Sequence, residues 1–91
     1  MILMVTRRKK TFEDALIIRT AAPDDKGGLR RLALLDSASL TDGPMLVAEK
    51  AGMLIAAVPM TGGRPIADPF EPSAHAVDLL ELRRAQLRPA A

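Results

Sequence analysis

The chain has 91 residues, with 13 basic and 11 acidic side chains, a formal net charge of +2 and no cysteine. This length suits one domain, and the lack of cysteine excludes disulfides, thiolate metal sites and cysteine nucleophiles from its chemistry. Hydrophobic residues make up 48% of the chain, a globular proportion. Phe12 and Phe70 are its only aromatic residues, so we do not expect a base-stacking surface for single-stranded nucleic acid.

Residues 1–16 differ in composition from the rest, because the apolar Met1 to Val5 is followed by the basic cluster Arg7 to Lys10. We interpret them as a basic N-terminal extension. A disordered segment, an arm that docks on an acidic partner or membrane surface, and an added strand from Ile2 to Thr6 remain open. The apolar-then-basic order is the reverse of a signal peptide, and no apolar run reaches the roughly 18 residues of a membrane span. We therefore expect a cytoplasmic protein with a single domain over residues 17–89.

The first half of the domain predicts a strand followed by a helix. Ala15 to Thr20 is rich in β-branched residues and predicts strand one. Pro23–Asp25 supplies turn chemistry and an acidic start for the helix. The helix buries one apolar stripe, formed by Leu29, Leu32, Ala33 and Leu35. Gly27 and Gly28 each cost about 1 kcal/mol relative to alanine, which predicts a loose first turn.

A polar loop over residues 36–44 leads into two further strands. Met45 to Glu49 predicts strand two, and Met53 to Met60 predicts strand three. Gly52 lies between them and suits a tight turn that needs a positive φ. Strand three is apolar almost throughout, which predicts a central position in the sheet.

The end of the domain predicts a short strand and a helix. Arg64 to Asp68 follows a glycine turn, and we place this fourth strand at the edge of the sheet because Pro65 and Pro69 bracket it. Ser73 then caps the final helix, which Pro89 ends. The predicted buried face of this helix consists of Val77, Leu80 and Leu87, broadened by Leu79 and Leu82. The elements together predict an α+β fold, with a four-stranded antiparallel sheet in the order 1-2-3-4 and two main helices packed against it.

Two stretches resemble the N-terminal half of the GNAT (N-acetyltransferase) superfamily. Ile18 to Asp25 is similar to that superfamily's first strand entering its first helix, with the pattern I-R-x-A-x-x-x-D. Leu46 to Ala57 is similar to its second and third strands, with the pattern hVAE-x-x-G-xhhG/A. The resemblance covers about residues 17–70 and implies a reduced, GNAT-like domain.

The chain departs from the superfamily where the resemblance would place the coenzyme's pyrophosphate. That superfamily has a Q/R-x-x-G-x-G/A loop there, whereas this chain has Asp68 to Ser73, with two prolines. A phosphate cradle needs unobstructed N–H groups at a helix N-terminus. The prolines remove two donors, and Asp68 and Glu71 add negative charge, so we expect no cofactor.

The function that these observations predict is that of a small GNAT-like domain, not an enzyme, which acts through protein interaction or homodimerisation. The alternative is acyl-CoA binding or N-acetyltransferase activity, with a cleft rebuilt in a dimer. Acetyl-CoA would then meet the backbone of Ile66 and Ala67 and the N–H groups after Ser73. A second alternative is a nucleic-acid or ribosome accessory that uses Arg7 to Lys10, although the rest of the chain is too close to neutral to favour nucleic acid.

No residue stands out as catalytic or metal-binding. His75 is the only histidine and has no evident carboxylate partner, so we interpret it as a solvent-facing helix residue. The hydroxyl residues of the polar loop, Ser37, Ser39 and Thr41, have no paired base nearby. Asp24 and Asp25 fit helix capping better than metal binding.

The remaining charged and methionine residues have structural interpretations. The basic pairs Arg30-Arg31 and Arg83-Arg84 are interpreted as solvated helix flanks, with neighbouring acids that balance them. Met45, Met53 and Met60 are interpreted as core fillers.

Overall fold

A computed structural model describes residues 15–40 and 42–87, which form a four-stranded antiparallel sheet and two α-helices. The strands lie in the sheet in the order β1-β2-β3-β4. The predicted α+β class and strand order are therefore confirmed. The predictions for residues 1–14, for Thr41 and for Pro89 fall outside the described residues.

The strand boundaries follow the predicted ones closely, except in the last strand. The strands are β1 (Leu16–Thr20), β2 (Met45–Lys50), β3 (Met53–Pro59) and β4 (Ile66–Ala67). The strand predicted over Arg64–Asp68 is wrong in length, because β4 contains only Ile66 and Ala67 of these five residues. The flanking prolines explain this, since proline cannot donate to a ladder.

The helices also begin and end near their predicted positions. A short 3₁₀ helix, Pro23–Asp25, precedes α1 (Lys26–Leu35), and α2 runs over Ala74–Leu87. Within the described part of the chain, neither helix is long and apolar enough to cross a membrane.

The two helices pack on opposite faces of the sheet, because successive strand residues point to opposite sides. On one face, α1 contacts alternate residues of the strands, such as Val47 and Ala57. On the other, α2 contacts their sequence neighbours, such as Leu46 and Val58. Strand β3 is buried on both faces, which confirms its predicted central place.

Two glycines have roles that the structure explains, Gly52 in the β2–β3 turn and Gly28 near the start of α1. Ala51 and Gly52 both have positive φ, 52° and 81°, as a two-residue hairpin turn requires, and Gly52 takes the role predicted for it. At Gly28, an added Cβ would lie 3.0 Å from Leu54 Cδ1. Gly28 therefore permits close packing of α1 on β3. This packing offsets the conformational-entropy cost of glycine, which was the reason for predicting a loose first turn.

The predicted apolar face of α2 is partly wrong. Leu82 is 56% exposed and Leu87 is also exposed, whereas Ala76 and Leu80 are fully buried. The stripe against the sheet continues from these two residues to Arg84, four positions further along the helix. Met53 is likewise exposed at the beginning of β3, so its interpretation as a core filler is wrong.

Leu80→Ala and Leu82→Ala form a matched pair that tests this orientation of α2. We expect Leu80→Ala to lower the free energy of unfolding by about 2–5 kcal/mol, because it leaves a cavity in the core. Leu82→Ala should change it by less than about 0.5 kcal/mol, since its side chain is in solvent. Urea unfolding followed by circular dichroism measures both, and equal effects would contradict the orientation.

Candidate functional site

Asp68 organises the junction between β4 and α2, which we define as residues 68–73. Its side chain is buried, and Oδ1 accepts a hydrogen bond from the Phe70 N–H at 2.8 Å. Its backbone carbonyl accepts bonds from the Ser73 hydroxyl and the Glu71 N–H, both at 3.3 Å. An Asp that accepts from the N–H two residues ahead forms an Asx turn. The junction is therefore a closed turn built around one carboxyl group.

Arg31 supplies the positive charge that offsets the cost of burying the Asp68 carboxylate. Its Nη2 donates to Asp68 Oδ2 at 2.9 Å, and its Nη1 donates to the Leu54 carbonyl at 3.1 Å. A buried carboxylate is costly unless it is paired and hydrogen-bonded. The interpretation of Arg31 as a solvated flank is therefore wrong, because its guanidinium joins α1 to β3 and to the junction. Arg30, its sequence neighbour, is exposed as predicted.

Asp36, which follows the last residue of α1, closes the edge of β4. The Asp68 N–H donates to the Ile55 carbonyl at 2.9 Å, so in an antiparallel ladder the Ala67 N–H points away from β3. That N–H donates instead to Asp36 Oδ2 at 3.2 Å. The same oxygen accepts a longer bond from Arg64 at 3.4 Å. The outward donor of this edge strand is thus satisfied within the chain.

The three residues predicted to meet a coenzyme have different surroundings. Ile66 is buried in the core beneath α1. Ala67 and Ser73 both line a cleft of about 530 Å³, the junction cleft, together with Asp36, Asp68, Pro69, Glu71, Pro72, Ala74 and His75. The Ser73 carbonyl accepts from the Val77 N–H at 2.9 Å, so Ser73 has the predicted place before the helix. Its hydroxyl, however, donates to Asp68 and, among the described residues, accepts no bond from a helix N–H.

A second polar cluster joins the residues that carry the GNAT resemblance. Arg19 donates to both carboxylate oxygens of Asp25, at 2.7 and 3.0 Å. Its Nε and Nη2 donate to Glu49 Oε1, at 3.1 and 2.9 Å. The two sequence patterns thus meet in space as one ion cluster that joins β1, the start of α1 and β2. Its groups are all paired with one another, which fits a structural role.

This cluster shifts the pKa of two of its members. The hydrogen bonds from Arg19, and then the bond from the Ala22 N–H at 2.6 Å, lower the pKa of Asp25 from 3.8 to about 2. The hydrogen bonds to Asp25 and Glu49 raise the pKa of Arg19 above its ordinary value. Both members therefore stay charged at neutral pH.

Arg84 is a second cation whose predicted solvation is wrong. Its side chain is only 12% exposed, and Nη1 donates to the carbonyls of Pro59 and Gly63, at 2.9 and 3.1 Å. Nη2 contacts Glu81 at 3.2 Å. Arg84 thereby satisfies carbonyl groups at the β3–β4 turn and ties α2 to it. Arg83 is exposed, as predicted.

Other candidate side chains are not brought together. His75 is exposed in the first turn of α2, in line with its interpretation. Ser37 and Ser39 are exposed in the loop that follows α1. Over the described residues, no group of three or more acidic or histidine side chains is arranged to hold a metal ion.

The chain matches no protein-family model, no curated protein and no solved structure. The GNAT resemblance therefore rests on the two sequence patterns alone and stays a prediction.

Sequence reasoning missed the roles of Asp36, Arg31 and Arg84, although weak signals exist for two of them. Arg31 lies three residues after Gly28, which packs against Leu54 of β3. Arg84 lies four residues after the buried Leu80. Helical spacing therefore places each cation one turn from a residue that faces the sheet, but local sequence does not identify the acceptors of either cation.

Asp68 variants test the importance of the junction turn. We expect Asp68→Ala to lower the free energy of unfolding by about 2–4 kcal/mol, because it leaves Arg31 and the Phe70 N–H without their acceptor. Asp68→Asn keeps one acceptor oxygen and should cost less. The control Glu71→Gln changes an exposed acid in the same turn and should cost less than about 0.5 kcal/mol. Urea unfolding gives all three values, and an Asp68→Ala cost no larger than that of Glu71→Gln would rule out the role assigned to Asp68.

The Asp25 carboxyl predicts a pH dependence of stability. Its folded-state pKa, about 2, lies below its ordinary value of 3.8, so the folded state favours the ionised form. The resulting stabilisation is fully present above about pH 4 and is lost as the pH falls towards 2. Allowing for solvent screening near the surface, we expect about 1 kcal/mol.

Arg19→Gln should flatten this pH dependence, because it removes the main cause of the low pKa. The control Arg30→Gln removes an exposed cation and should leave the dependence unchanged. Urea unfolding between pH 2 and 6, together with an NMR titration of the Asp25 carboxyl carbon, provides the comparison. An Asp25 pKa near 3.8 in the unaltered protein would contradict the cluster.

Proposed function

We propose that this chain is a small GNAT-like domain that is not an enzyme and acts through protein interaction. One observation carries the proposal. At the place where the resemblance would put a coenzyme, two backbone N–H groups already donate hydrogen bonds to carboxylates of the chain itself. Ala67 donates to Asp36, and Phe70 donates to Asp68. A diphosphate would have to displace these acceptors before it could bind the same donors.

Electrostatics at the junction cleft also support the proposal. Asp36, Asp68 and Glu71 all line it, so a bound diphosphate would lie close to three carboxyl groups. Like charges at about 4 Å repel by about 1 kcal/mol in water and about 4 kcal/mol at a typical protein surface. Arg64 offsets part of this repulsion at Asp36, over a distance of 3.4 Å. The other two acids are likewise paired with cations, at 2.9 and 3.9 Å, so the cleft carries no net positive charge that would attract a polyanion.

The interaction part of the proposal is supported by Phe70. This ring is 81% exposed, although its backbone N–H is fixed by the buried Asp68. Exposed aromatic side chains on well-ordered backbone are common anchors at protein interfaces, because little conformational entropy is lost when they bind. A partner that covers Phe70 would gain apolar contact without reorganising the turn.

The alternative is an acyl-CoA binder whose cleft is completed in a dimer. It is favoured by one observation, namely that Ala67 and Ser73 line the same cleft beside the first turn of α2. The N–H groups of that turn are the donors that a phosphate would use.

A thermal-shift titration with acetyl-CoA separates the two functions. We expect no rise in melting temperature up to about 1 mM ligand. An acyl-CoA binder with a dissociation constant of about 10 μM would be stabilised by about 2.7 kcal/mol at that concentration. AMP serves as the control for effects of any nucleotide. A saturable shift with acetyl-CoA that AMP does not reproduce would overturn the proposed function and support the alternative.

A further inference from the structure

The two edges of the sheet differ in how well they are protected against pairing. The edge strand β4 has two residues, lies between Pro65 and Pro69, and has its outward N–H covered by Asp36. Short length, proline and covering groups are devices that prevent strands from pairing at an edge. The opposite edge strand, β1, has five residues, Leu-Ile-Ile-Arg-Thr, without proline, and among the described residues it pairs only with β2.

The ladder fixes which groups of β1 point outward. The Ala21 N–H donates to the Met45 carbonyl at 2.8 Å, and the register continues from this pair to Arg19 opposite Val47 and Ile17 opposite Glu49. In an antiparallel pair, the residues that bond to the neighbour alternate with residues that do not. The N–H and C=O groups that point away from β2 therefore belong to Leu16, Ile18 and Thr20, of which the Thr20 carbonyl also accepts a 3.3 Å bond from Arg19 Nη1.

We infer that β1 pairs antiparallel with β1 of a second copy of this chain, about a two-fold axis at Ile18, so that the two sheets form one continuous sheet. This inference rests on the proposed function, since it names a second copy of the chain as one interaction partner, at a surface distinct from that of Phe70. A two-fold contact of this kind is closed, because the same edge is used by both copies.

The axis at Ile18 follows from the backbone pattern and the length of the strand. It brings Ile18 opposite itself and Leu16 opposite Thr20 of the second copy, so every outward-pointing residue meets an outward-pointing residue. An axis at Arg19 would leave Leu16 without a partner inside β1. An axis at Ile17 would leave Thr20 without a partner inside β1. Only Ile18 pairs the strand over its full length.

The side chains of β1 suit a copy of themselves on both faces. Leu16 and Ile18 are half-buried against the core beneath α2, and the same residues of a second copy would extend that apolar layer. On the other face, Ile17 is 51% exposed and would lie opposite Arg19 of the second copy. The charge of Arg19 is already paired with Asp25 and Glu49, so its aliphatic stem can cover Ile17.

The contact is small, because one five-residue edge buries less surface than the roughly 1,200–2,000 Å² that a standard interface buries. We therefore expect a weak dimer, with a dissociation constant between about 10 μM and 1 mM. Sedimentation of the full chain over this range should show mass that rises with concentration. Ile18→Pro deletes the two central inter-copy donors and keeps the bonds to β2, so it should raise the dissociation constant by about 100-fold.

Matched variants distinguish the loss of hydrogen bonds at the edge of β1 from unfolding of the protein. Ile18→Ala trims the side chain but keeps the N–H, and it should change the dissociation constant by less than about 10-fold. If circular dichroism shows that Ile18→Pro does not fold, Thr20→Pro replaces it as the test variant, because Thr20 is an exposed position. It should also weaken the dimer, with Thr20→Ala as its control.

Cross-linking tests the register, since the chain has no cysteine of its own. Ile18→Cys places two sulfurs opposite each other across the axis, at a Cα separation of about 5.5 Å that a disulfide can bridge. Ile17→Cys is more exposed but lies opposite Arg19, so it should cross-link at least about 10-fold more slowly.

A monomer at about 1 mM would overturn the inference, and a different partner or another segment of this chain would then cover β1. A dimer that Ile18→Pro and Thr20→Pro leave intact, or faster cross-linking at Ile17, would also overturn it. None of these results would touch the proposed function, which the acetyl-CoA titration tests separately.

Discussion

The ion pair between Arg31 and the buried Asp68 is the interaction on which the rest of the structure depends. Asp68 lies at the end of β4, where it fixes the Phe70 N–H and, through its carbonyl, the residues that lead into α2. Arg31 comes from α1 and also bonds to β3. The pair therefore connects both helices to the sheet at a single point. In a domain this small, such a connection matters because the apolar core alone stabilises the fold only modestly.

Much of the fold follows from local sequence patterns. Strand β3 is a continuous apolar run, and burial on both faces requires that composition. The turn before it follows from Gly52, and the place of β4 at the edge follows from its flanking prolines. These features depend on residues close together in the sequence. Contacts between distant residues are less visible, which explains why the face of α2 was assigned wrongly at Leu82.

The candidate site was less predictable, for a related reason. The lack of a glycine loop after β4 was evident from the sequence, but the groups that replace it were not. Asp36, Arg31 and Arg84 bond to acceptors or donors 21–37 residues away. Each looks like an ordinary surface charge until the sheet brings its partner close. Local charge patterns predict solvation for such residues, whereas the tertiary structure uses them to satisfy backbone groups.

The same use of charge connects the two edges of the sheet with the proposed function. The Asp36 carboxylate accepts the hydrogen bond from the Ala67 N–H, which is a donor that a coenzyme would need. The same bond prevents another strand from pairing with β4. On β1, Arg19 is paired with Asp25 and Glu49 and reaches the edge through a 3.3 Å bond to the Thr20 carbonyl, so it protects the edge less than a solvated lysine would. Neutralising Arg19 within the fold therefore leaves β1 suited to pairing. If the carboxylates of the cluster hold Arg19 in this way, the stability of the fold and the availability of β1 for a partner depend on the same three side chains.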